Sequence, residues 1–168
     1  IPDRLFSMCN GLSSITFSDS LRIIGDYAFG YCTGLEEIVL PGSVTYIDEV
    51  AFANCQWLKS FTVLDSSDRN AEIQFAGKNA LNYGVFSNCS NLETVKLGNT
   101  VKVIPDELFS MCEGLRSVTF SDSLRSIGRY AFGGCTSLEE IVIPGSVKSI
   151  GDYAFEGCEK LSSVVIGD

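Results

Sequence analysis

Apolar residues recur along this chain at fixed intervals that neither a single helix nor a single strand would give. Phe6, Phe29, Phe52, Phe86, Phe109, Phe132 and Phe155 form one column, and three residues after each stands a Cys, at 9, 32, 55, 89, 112, 135 and 158. Three residues further on stand Leu12, Leu35, Leu58, Leu92, Leu115, Leu138 and Leu161. Each Leu is followed by two apolar residues spaced by two: Ile15/Phe17, Ile38/Leu40, Phe61/Val63, Val95/Leu97, Val118/Phe120, Ile141/Ile143 and Val164/Ile166. A spacing of two places both side chains on one face, so each pair predicts a short strand with that face inward. Pro41-Gly42-Ser43 then predicts a turn, and Val44 and Ile47 re-enter the core from a second extended segment. Asp48–Phe52 and the run from Pro105-Asp106-Glu107 predict about one helical turn, with carboxylates at its start where the helix dipole favours them.

The cysteines lie 23 residues apart, except for one interval of 34 between Cys55 and Cys89. A fixed period of this length predicts stacked coils, each with apolar edges that it cannot bury alone, merged by stacking into one core. A longer period lies over the first. Residues 1–55 align without gaps on 104–158, an offset of 103, with 39 of 55 positions identical. Both chain ends fall inside a coil, which predicts a single solenoid over 1–168 taken from a longer array.

The stretch Leu138–Cys158, LEEIVIPGSVKSIGDYAFEGC, resembles the BspA-type leucine-rich repeat, also called the Treponema pallidum type. Seven repeats in phase carry the resemblance over the whole chain apart from the segment between Cys55 and Cys89. The resemblance implies a right-handed leucine-rich-repeat solenoid of about seven coils, with a short-stranded sheet and short helical or 3-10 turns. It also implies a secreted or surface-anchored protein of bacteria or mucosal protozoa, with host-matrix binding, adhesion or coaggregation as function. The motif residues are the buried ones, so no functional residues carry over.

Composition narrows the chemistry. A net charge of −9 argues against nucleic acid as partner, since phosphate binding needs a basic footprint. The absence of His removes every His-based triad, general base and metal site. No apolar run reaches the roughly 18 residues needed to cross a bilayer. The seven cysteines occupy equivalent positions between core Phe and Leu, so they predict parallel buried free thiols in preference to a disulfide ladder. Their spacing of at least 23 is wrong for zinc, and no cofactor is predicted.

Binding is expected on outward positions. The strand face offers Ser14, Thr16, Glu37, Val39, Ser60, Thr62, Thr94, Lys96, Ser117, Thr119, Glu140 and Val142, continuing into Ser163 and Val165. Arg22, Lys102, Arg125 and Lys148 form a basic stripe, read as a solvated face paired with acids such as Asp19 and Asp122. Eleven extra residues fall within 64–79; Asp65, Asp68, Arg69 and Asn70 read as an exposed turn, and Ala71–Phe75 as a strand of a protruding hairpin. Calcium binding by Asp65, Asp68, Asn70 and Glu72 is disfavoured, because turn chemistry explains these residues and the EF-hand spacing is missing. Glu36-Glu37 and Glu139-Glu140 are adjacent strand residues expected to point apart, so they predict no catalytic dyad. The resulting expectation is a non-enzymatic surface module that engages a host or cell-surface protein or glycan through extended area. The alternative is a passive spacer displaying other domains.

Overall fold

The computed structural model describes residues 1–77 and 84–167. Its regular elements are twelve short strands in two parallel ladders on different sides of a solenoid. On the first side β2 (Glu37–Leu40), β4 (Ser60–Val63), β6 (Thr94–Leu97) and β8 (Ser117–Thr119) form one sheet, and β10 (Glu140–Ile143) pairs with β12 (Ser163–Ile166) in another. On the second side β1 (Ile23–Ile24), β3 (Tyr46–Ile47) and β5 (Gln74–Phe75) form one sheet, and β7 (Val103–Ile104), β9 (Ser126–Ile127) and β11 (Ser149–Ile150) another. Register follows the repeat: Ile38 pairs with Phe61, Phe61 with Val95 and Val95 with Val118.

The third side was expected to be helical, and among the described residues no helix is present. Tight turns take its place, with a left-handed residue five and one positions before nearly every Cys: Tyr27 (φ 49°) and Tyr31 (62°), Val50 (49°) and Asn54 (60°), Glu107 (58°) and Met111 (61°). A left-handed residue ends a right-handed helix after a few residues. The amides it frees bond to the neighbouring coil. Tyr27, Phe29 and Tyr31 donate to the carbonyls of Glu49, Ala51 and Ala53 at 3.2, 2.8 and 2.9 Å. Asp106, expected to start a helix, caps the next coil instead, its Oδ1 accepting from the Arg129 amide as Asp3 Oδ1 does from that of Asp26, whereas Asp48 Oδ1 accepts from the adjacent Glu49 amide at 2.8 Å.

Inside, the seven column phenylalanines make one continuous stack with centroids 5.2 to 5.5 Å apart. Beside it the thiols of Cys32, Cys55, Cys89, Cys112, Cys135 and Cys158 each donate to the carbonyl of the Phe one coil earlier, at 2.9 to 3.8 Å. That bond satisfies a weak donor which the apolar interior could not solvate. All seven cysteines are free, but Cys9 is exposed and Cys158 half-buried, so shielding holds only for the five between them.

Three of the four prolines, Pro41, Pro105 and Pro144, stand where the ladders stop. In the position just after β4, β6 and β12, Leu64, Gly98 and Gly167 donate to the carbonyls of Leu40, Val63 and Ile143 at 2.9, 2.9 and 2.8 Å. Pro41 and Pro144 occupy that position one coil after Phe17 and Phe120, and proline has no N–H to give. Accordingly Ser14–Phe17 joins no sheet, and β8 and β10 belong to different ones. On the second side Gly25, Asp48, Gly128 and Gly151 donate to Ile1, Ile24, Ile104 and Ile127, and Pro105 interrupts the series between β5 and β7.

The segment read as a protruding hairpin is instead part of the wall. Phe75 pairs with Ile47 and Ile73 is 1% exposed, so Ala71–Phe75 supplies its coil's second-side strand. Phe75 follows Ile47 by 28 residues where the repeat predicts 23, which puts about five of the extra residues before β5. The remainder fall between β5 and Phe86, where residues 78 and 79 lie outside the described residues. Hydrophobicity decides the outcome: a hairpin would have left Ile73 and Phe75 in water.

Candidate functional site: the strand face

Alternation along β2, β4 and β6 buries Ile38, Leu40, Phe61, Val63, Val95 and Leu97, half-buries Val118 on β8, and turns the intervening residues outward. Because the strands are in register, the outward residues form two rows. One runs Glu37, Ser60, Thr94, Ser117, and the other Val39, Thr62, Lys96, Thr119. On β10 and β12, Glu140 stands beside Ser163 and Val142 beside Val165. The rows are thus brought together as expected, with two departures. Ser14 and Thr16 are exposed but lie outside any ladder, and the seam between β8 and β10 divides the face into two facets.

A third row flanks these two and alternates in sign: Glu36, Lys59, Glu93, Arg116, Glu139. Lys59 Nζ lies 2.9 Å from Glu36 Oε2, and the hydrogen bond and charge of Glu36 raise the lysine's pKa. This row corrects the expectation for the paired glutamates. Glu36 and Glu37 are both exposed because the chain corners between buried Leu35 and Ile38, and Glu139 and Glu140 line one groove with Arg116, Ser162 and Ser163. Neighbouring hydroxyls also bond within the face, as Ser60 Oγ does to Glu37 Oε1 at 3.3 Å. Trp57, 60% exposed just before β4, went unremarked in the sequence; its signal was a large aromatic in a column held by Gly34 and Asn91 in the adjacent coils.

In the segment from Asp65, two of the candidate carboxylates hold turns together. Asp65 Oδ1 and Asp68 Oδ1 accept from the amides of Asn99 and Asn70, Asn99 in turn clasps Ser66, and Arg69 is exposed. Glu72 lies 3.8 Å from Lys102. In the basic stripe, Arg22 and Arg125 bond the backbone carbonyls of Asp19 and Asp122, at 2.8 and 2.9 Å, in place of the carboxylates expected there. Burial pushes the buried thiols upward, Cys89 to about 12, which makes them inert as nucleophiles at neutral pH.

Six copies of the BspA-type leucine-rich repeat region match over residues 1–85 and 79–168, and the chain belongs to that family. Among solved structures it is similar to the Treponema pallidum leucine-rich repeat protein, at 30% identity and TM-score 0.68, over 84% of this chain and 62% of that one. A leucine-rich repeat protein of Eubacterium ventriosum matches at 33% identity and TM-score 0.72, over 87% and 37%. A leucine rich cell surface protein of Faecalibacterium prausnitzii matches at 29% and 0.58, over 92% and 46%. The chain therefore spans less than two thirds of each of these structures. No curated protein matches it. Proteins built from this repeat generally bind other proteins or act as scaffolds, and the fold is typically non-enzymatic. No helix among the described residues is long and apolar enough to cross a membrane.

Proposed function

We propose that this chain is a non-enzymatic recognition module of a cell-surface or secreted protein, and that it engages a host or cell-surface protein or glycan through the strand face. The observation that carries the reading is the in-register array of outward rows from Glu37/Val39 to Ser117/Thr119, a broad surface in place of a pocket. Short Ser, Thr and Val side chains leave it open to a large partner. Each contact contributes little, so affinity comes from many coils acting together and from display at high density. The Faecalibacterium relative described as a cell surface protein supports the location. A binding screen against extracellular-matrix proteins and glycans, with the chain immobilised at low and high density, tests this. Micromolar binding that strengthens with density is expected; no binding at any density favours the spacer reading.

A further inference from the structure

We infer that the solenoid is jointed: the seam between β8 and β10 is a hinge that lets the two facets of the strand face change their angle. Four observations meet there. The first-side sheet ends at β8 and a new one begins at β10. Pro144 stands where a ladder donor to Phe120 belongs, a role that Gly98 and Gly167 perform for Val63 and Ile143. The core is looser at this level, since Val118 and Phe120 are half-buried although their counterparts Ile38, Leu40, Val95, Leu97, Ile141 and Ile143 are buried.

The fourth observation fixes the axis. Directly behind the seam the second side is unbroken, with β7, β9 and β11 paired and Lys148 and Gly151 bonded to Arg125 and Ile127 at 2.7 and 2.8 Å. The phenylalanine stack and the turn ladder also cross it intact, through Phe109 on Phe132 and the Phe109 amide on the Ala131 carbonyl. Opening on the strand side with continuous hydrogen bonding behind it is hinge geometry. The device is duplicated. At an offset of 103, Phe17 and Pro41 repeat Phe120 and Pro144, and Ser14–Phe17 is likewise unpaired from β2. A partner spanning both facets would select one angle, and this property is independent of what the face binds.

Spin labels carried on noncanonical amino acids, which spare the native thiols, test the joint by distance distributions. Val39 to Thr119 spans three coils inside one sheet, and Lys96 to Val165 spans three coils across the seam. The second distribution should be roughly twice as broad as the first. Exchange of the Glu140 and Val142 amides should be about tenfold or more faster than that of Ser60 and Thr62, their counterparts in β4. Pro144→Gly, and independently Pro144→Leu after Leu64 in the same column, should narrow the distribution and slow that exchange. Equal widths in the two pairs, or widths unmoved in both folded variants, would overturn the hinge.

Discussion

Phe109 stacks on Phe86 at 5.2 Å and on Phe132 at 5.4 Å and is fully buried, so its loss opens a cavity that two neighbouring coils share. Phe109→Ala should therefore cost about 3–5 kcal/mol in denaturant unfolding, and a cost below about 0.5 kcal/mol would contradict the stack. The cysteines beside it predict a graded thiol titration in unreduced protein. Cys9 should react at once, Cys158 more slowly, and the other five only on unfolding; fewer than seven thiols after unfolding would contradict free cysteines. The same burial sets a pH dependence. Cys89 moves from 9.0 to about 12 in the fold, so between those values the unfolded chain has lost a proton that the folded chain keeps. Stability is then fully present below pH 9 and falls as pH rises above it. Urea midpoints at pH 7, 9 and 10 check the direction.

At the scale of elements, β5 has the most to say about what a repeat pattern can and cannot disclose. The columns of Phe, Cys, Leu and paired apolar residues were legible because each repeats seven times and each is buried for the same reason. Ala71-Glu72-Ile73-Gln74-Phe75 was legible as a strand by its alternation, but its partner was not. Pairing with β3 depends on slack in the chain on both sides of it, and spacing alone places such slack on neither side. The turns were misread as helical because acids before an apolar run suit a helix start equally well. What excluded a helix was hydrogen bonding to the next coil at Tyr27, Phe29 and Tyr31, a non-local fact. Phe75→Ala should thus cost about 3 kcal/mol, whereas Arg69→Ala in the exposed turn should stay within about 0.5 kcal/mol. Equal small effects in thermal or urea unfolding would return Ala71–Phe75 to the solvent.

For the whole molecule, the interior columns are committed to packing, and the outward rows of β2, β4, β6 and β8 form one of the exposed surfaces, the one proposed above to meet a partner. The site was legible to the extent that alternation sorts inward from outward. The flanking charged row and the seam were not, because both arise from how one coil meets the next. Recognition through the strand face is open to direct test. The most direct measurement is affinity for a matrix protein or glycan captured in the screen, compared between two folded triple variants. Thr62→Arg, Lys96→Glu and Thr119→Arg alter the centre of the strand face, and Arg4→Ala, Tyr31→Ala and Met111→Ala strip the exposed turn side. Binding weakened about tenfold or more by the first set and less than about twofold by the second is the predicted result. Binding lost with the turn-side set and retained with the strand-face set would contradict it.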